Sequence, residues 1–106
     1  MSLTKDFKET VQKRALHDPD FRLGLLEESI SCLLSGELDT GKTLLRDYIN
    51  ATIGFEVLAS LTGKSSKSLM RMFSPAGNPR AENLFTVIAA LQEQEGVQLQ
   101  VHRVKA

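Results

Sequence analysis

Four basic side chains lie in one segment that contains no acidic residue, and they are the residues best suited to bind a negatively charged partner. Residues 57–81 carry Lys64, Lys67, Arg71 and Arg80, and no Asp or Glu. Residues 1–56 carry 7 basic and 10 acidic side chains, and residues 82–106 carry 2 basic and 3 acidic side chains. A solvated surface normally mixes both signs, so a segment without carboxylates indicates an anionic partner such as nucleic acid.

The spacing around these cations predicts two short helices, at about 54–62 and 65–73, joined by a tight turn. Ala59 and Gly63 stand four residues apart, as a small residue and a turn glycine do where two helices meet. Ser65 is a natural N-cap for the second helix. Lys67 and Arg71 then share its outer face, and arginine suits bidentate contact with guanine in the major groove.

The elements around this pair are predicted to be mostly helical. Apolar residues at helical spacing, among them Leu38 and Leu45 in one helix and Phe85 and Leu91 in another, predict faces packed in the core. Asn78 is predicted as the N-cap of the last helix, with Pro79 in its first turn. The four further helices are predicted at about 3–16 (with Leu3 on its apolar stripe), 19–35, 38–52 and 79–94.

After Gly96 the period changes, because Val97, Leu99 and Val101 alternate with polar residues as in a half-buried strand ending near Val104. No other segment is predicted as a strand, so its simplest partner is the same strand of a second copy. We therefore expect a homodimer, although the segment could instead lie as a tail on its own domain.

These patterns predict a mainly α-helical bundle that contains a helix-turn-helix and one C-terminal strand. A chain of 106 residues fits a single domain. Within it we distinguish an N-terminal helical extension (1–44), a DNA-binding core (45–95) and the C-terminal strand (96–106). The single Cys32 cannot form an internal disulfide, and no segment has the roughly 20 apolar residues that span a membrane. With no apolar leader segment, a cytoplasmic protein is expected.

Catalytic and cofactor signals are weak. The segment GELDTGKT, residues 36–43, matches the P-loop pattern, but it follows a predicted helix rather than the strand that a P-loop requires. Its acidic residues would also repel phosphate, so nucleotide binding is not expected. His17 and His102 have no neighbouring ligand at metal-binding spacing. We therefore predict that the chain is not an enzyme and holds no metal or cofactor.

Residues 45–91 resemble the Xre (lambda-repressor-like) helix-turn-helix family. The opening LRDYINA, the LASLTG turn, the SLMRMFS helix and the segment GNPRAENLFTVIAAL follow one another in the family's order. The small size and the closing VQLQVHRV resemble the family's addiction-module antidote branch, the HigA-type antitoxins. The resemblance covers about half of the chain well and residues 1–44 only loosely.

The resemblance implies that a dimer binds double-stranded operator DNA as a transcriptional autorepressor within a toxin–antitoxin system. It also implies the roles of individual residues. Bases would be contacted by Ser66, Lys67, Met70 and Arg71, and phosphates would be bound by Lys64, Ser65, Asn78 and Arg80.

A second interpretation stays open beside the first. The N-terminal helices lean acidic and would suit a basic toxin. The chain would then be a protein-interaction module that neutralises a toxin through residues 1–44, with weak or no DNA binding.

Overall fold

The structure, a computed structural model, describes residues 5–106, without the side chains of residues 5–8 and 11. The predicted position of Leu3 lies outside this range. Within the described range the chain forms six helices and no strand. The prediction of a mainly helical chain is therefore confirmed. The helices are α1 (Lys5–His17), α2 (Pro19–Leu34), α3 (Leu38–Ala51), α4 (Gly54–Thr62), α5 (Ser66–Met72) and α6 (Ala81–Glu95).

The first three helices form the base on which the others rest. Asp18 caps α2 by accepting a hydrogen bond from the Phe21 N–H at 3.1 Å, and Pro19 fits the first turn because its missing N–H is not needed there. α2 and α3 approach closely at Gly41, where a Cβ would stand only 2.7 Å from the Leu33 side chain. A larger residue at position 41 would require the Leu33 side chain to shift, so glycine favours this close packing of α3 on α2.

One hydrophobic core is shared by the five helices α2, α3, α4, α5 and α6. Tyr48 and Phe73 are its largest fully buried side chains, and the apolar cluster draws residues from each of these helices. Leu38 and Phe85, predicted to face the core, are instead 56% and 65% exposed. Both predictions were wrong, because neighbouring residues at helical spacing already fill the core. The central members of the cluster are Leu26, Leu45, Tyr48, Ile49, Leu58, Leu69, Phe73, Val87 and Leu91.

A polar network ties the end of α6 to this base. One Glu95 carboxylate oxygen accepts from Arg22 Nε at 2.8 Å and from the Tyr48 hydroxyl at 2.7 Å. Arg22 also donates to the Ala15 carbonyl at 3.0 Å, at the end of α1. Burial and the Glu95 carboxylate raise the pKa of the Tyr48 phenol well above its usual range, so the phenol stays neutral as a donor. The carboxylate thus joins α6 to α2 and α3, and Arg22 extends the network to α1.

Two predicted features of the C-terminal third need correction. The N-cap of α6 is Arg80, with extended backbone (φ −66°, ψ 148°), and not Asn78. Gly77 lies packed against the end of α5, so residues 78–80 are used to reach the start of α6.

The C-terminal strand is the second correction, since residues 97–106 have no regular secondary structure. Leu99 is half-buried against the core, and its N–H donates to Gln92 Oε1 at 2.7 Å. Val101 is 80% exposed, so its predicted burial was wrong. The described chain holds no other extended segment with which this one could pair, and its backbone binds a side chain of α6 instead. The region beyond Gly96 is a tail on its own domain here.

Candidate nucleic-acid interface

The pair α4 and α5 has the predicted helix–turn–helix form. Gly63 ends α4 with φ +70°, a conformation that favours glycine, and its N–H donates to the Ala59 carbonyl at 3.0 Å. Phe55 is buried at the start of α4, with its ring centroid 6.3 Å from that of Phe73 beyond α5. The turn and the aromatic contact fix α5 against α4.

α5 begins and packs as the sequence predicts. The Ser65 hydroxyl oxygen accepts from the Ser68 N–H at 3.0 Å, which confirms Ser65 as the N-cap. Leu69 and Met72 are buried beneath the helix, and Phe73 follows them into the core. The opposite face of α5 is therefore turned away from the protein.

The predicted base-contacting residues lie together on that outer face. Lys67, Met70 and Arg71 are exposed, and Ser66 is half-buried. Neither Lys67 nor Arg71 makes an ion pair or a side-chain hydrogen bond among residues 5–106. By contrast, Arg14 and Arg22 on the N-terminal helices are both paired with carboxylates. The two outer cations of α5 are thus free to bind an anion.

A cleft of about 300 Å³ runs beside α5 and brings in the second group of predicted residues. Arg71 lines one side of it, and Asn78 and Arg80 line the other, both exposed on the connection to α6. The structure therefore places Arg71 of the proposed base-contacting set next to two of the proposed phosphate-binding residues.

Lys64 and Ser65 sit in the turn before α5. The half-buried Lys64 donates from Nζ to Asn83 Oδ1 on α6 at 2.8 Å, a contact that the sequence did not predict. An ammonium has three donors, so two remain for another acceptor. The Ser65 oxygen already caps α5, but its hydroxyl hydrogen can still be donated. Their phosphate contacts stay predictions.

Lys42 has a structural role that sequence reasoning missed. Only 8% exposed, it donates from Nζ to the Gly77 carbonyl at 2.6 Å and to the Ser74 carbonyl at 3.4 Å. It therefore holds the loop between α5 and α6 against α3. The P-loop pattern has no P-loop geometry, since Gly41 and Lys42 lie inside α3 and no strand precedes them from residue 5 onward. The signal was available, because Lys42 shares a helical face with buried Leu45 and Ile49.

We expect Lys42→Met to lower the free energy of unfolding by about 2 kcal/mol, because two carbonyls lose a charged donor while the aliphatic stem is kept. Urea denaturation followed by circular dichroism measures this. The exposed Lys13→Met is the matched control and should change stability by less than about 0.5 kcal/mol. Equal stability of Lys42→Met and the unsubstituted protein would contradict the role of Lys42 in holding the loop.

No family model, curated protein or solved structure matches this chain. Its function is therefore inferred from its own residues and their geometry.

No helix among residues 5–106 is long and apolar enough to cross a bilayer. The same residues contain no cluster of three or more His, Cys, Asp or Glu side chains placed to hold a metal ion. Cys32 is buried, and burial raises the pKa of its thiol, with Glu28 and Glu37 adding to the effect.

Proposed function

We propose that the chain is a sequence-specific, double-stranded-DNA-binding regulator that presents α5 to the major groove. The observation that carries the proposal is the outer face of α5. Lys67 and Arg71 are exposed there and make no ion pair among residues 5–106, and Arg71 lines a cleft together with Arg80. A helix of this kind fits the groove, and its arginine can bind guanine O6 and N7. Cations at the edge of the helix would bind the phosphates that fix its position.

The proposal includes assembly and context. One helix-turn-helix contacts only a few base pairs, so two copies placed about 34 Å apart would bind one operator. The exposed Val101 and Val104 of the C-terminal tail would be covered in such a dimer. The resemblance of residues 45–91 to Xre-type antitoxins supports an antitoxin acting as its own repressor in the cytoplasm.

Binding to DNA from upstream of the chain's own coding sequence, measured at two salt concentrations, tests the proposal. We expect two chains per bound fragment and an affinity that falls steeply with salt, because bound phosphates release counterions. A mixed-sequence duplex should bind about a thousandfold more weakly or worse. If the protein binds neither duplex at low salt, the proposal is contradicted.

We expect Arg71→Ala to weaken operator binding by about 1–3 kcal/mol and to relax the preference at one base pair. Arg80→Ala is the matched contrast, because it also removes an exposed arginine beside the same cleft. It should weaken binding to every sequence alike and lower the salt slope by about one unit per chain. A competition assay against single-base variants of the operator separates the two. An unchanged base preference in Arg71→Ala would contradict its role.

A second candidate function is favoured by the surface around the connection of α2 to α3. Leu34 and Leu38 are 66% and 56% exposed there, beside the exposed Glu37 and Asp39. Exposed leucines among carboxylates are typical of a docking surface for a basic protein. Neutralisation of a basic toxin through this surface can coexist with DNA binding in one chain.

The double substitution Leu34→Ser/Leu38→Ser tests the second candidate. If a short basic protein is encoded next to this chain, we expect the double substitution to weaken its binding by at least about tenfold, because the apolar contact is lost. DNA binding should be unchanged, since neither leucine adjoins α5. Calorimetric titration with that protein measures the first effect. Equal affinity of the double variant would place the docking surface elsewhere.

A further inference from the structure

A second cleft, of about 310 Å³, opens beside α5 and is lined by Arg46, Asn50, Phe55, Glu56 and Met70. Arg46 and Asn50 lie near the end of α3, outside the segment whose charge pattern indicated an anionic partner. Neither residue was predicted to belong to the interface.

The two clefts lie on opposite flanks of α5. Successive residues of a helix are rotated by about 100°, so Met70 and Ser68 fall on either side of the outward line through Lys67 and Arg71. Met70 lines the cleft with Arg46, whereas Ser68 lines the cleft with Arg80. The free face of α5 is therefore bordered by an arginine and an asparagine on each side.

The Arg46 guanidinium is available to an anion from outside the chain. Its side chain is half-buried, yet it makes no ion pair and no hydrogen bond among residues 5–106. Glu56 lines the same cleft but is not within ion-pair distance of it. A partly desolvated guanidinium without an acceptor is costly, and an anion entering the cleft would remove that cost.

We infer that Arg46 and Asn50 form a second phosphate-binding site. It would contact the DNA strand on one side of the major groove, and Arg80 would contact the strand on the other side. The inference rests on the proposed function. The major groove is about 12 Å wide and admits one helix, so a sugar–phosphate backbone lies close to each flank of that helix. Arg46 supplies a charged fork and Asn50 a neutral amide donor, and both bind phosphate without selecting sequence.

The inference is tested by salt-dependent binding of three variants to the upstream DNA and to a mixed-sequence duplex. Arg46→Gln should weaken binding to both duplexes about tenfold at low salt and lower the salt slope by about one unit per chain. Asn50→Ala should weaken both without changing the slope, because no charge is removed. Glu56→Gln should strengthen binding to both duplexes, since it removes from the cleft a negative charge that would repel phosphate. Lys13→Gln, an equal charge change at an exposed site on α1, is the control.

The outcomes separate the inference from the proposed function. If the unsubstituted protein binds with a steep salt slope that Arg46→Gln leaves unchanged, the second phosphate site is wrong and the proposed function stands. A loss of slope in Arg46→Gln no greater than in Lys13→Gln would have the same meaning. If the unsubstituted protein binds neither duplex, both fall. Circular dichroism of Arg46→Gln and of the charge-retaining Arg46→Lys, which should keep the slope, separates lost contact from lost fold.

Discussion

Gly77→Ala is expected to lower the free energy of unfolding by roughly 3–4 kcal/mol and to abolish the proposed specific DNA binding. A methyl group on Gly77 would overlap the carbonyl oxygen of Arg71 and stand 2.6 Å from that of Met72. Both atoms belong to the backbone at the end of α5, so no side-chain rotation relieves the overlap. The loop must move, and with it Asn78 and Arg80 on one border of the proposed interface.

The matched control is Gly24→Ala, where the added methyl meets nothing within 4 Å. Gly24 lies inside α2, so alanine there should raise the free energy of unfolding by up to about 1 kcal/mol. Urea denaturation gives both stability changes, and a gel-shift assay gives the loss of binding. Stability and affinity unchanged by Gly77→Ala would show that the end of α5 yields easily, which contradicts a rigid border to the cleft.

The helices and the predicted recognition face could be derived from the sequence because their signals are local. Ser65 as a cap, Gly63 at a positive φ and the apolar spacing of Leu69 and Met72 each depend on residues within one or two turns. The structure confirms these features, and it places Lys67 and Arg71 outward as predicted.

Most of the contacts that sequence reasoning missed join residues far apart in the chain. Lys42 binds carbonyls 32 and 35 residues away, and Lys64 binds a side chain 19 residues away. Arg46 borders α5 only because α3 and α4 bring it there. The pattern GELDTGKT matched a nucleotide-binding motif, whereas its Gly41 and Lys42 serve close helix packing and loop attachment. Helical spacing could indicate that Lys42 is buried, but which carbonyls it binds depends on tertiary packing.

Glu95→Ala is expected to lower the free energy of unfolding by about 3 kcal/mol. The Glu95 side chain is 10% exposed and that of Arg22 is 22% exposed, so removing the carboxylate leaves a largely buried guanidinium without its counter-charge. The Tyr48 hydroxyl loses its acceptor in the same step, and Tyr48 is only 1% exposed. An unpaired polar group at that depth costs a further part of the total.

Glu93→Ala is the control for Glu95→Ala, because it removes an exposed carboxylate two residues earlier in the same helix and should change stability by less than about 0.5 kcal/mol.

Alkaline titration gives a second readout. The raised pKa of Tyr48 means that its neutral form stabilises the fold below pH about 10 and that this stability is lost as the pH rises further. Glu95→Ala removes one cause of the shift and should weaken that alkaline loss, as should Tyr48→Phe. Equal stability of the Glu95 and Glu93 variants would mean that the network does not join α6 to the N-terminal helices.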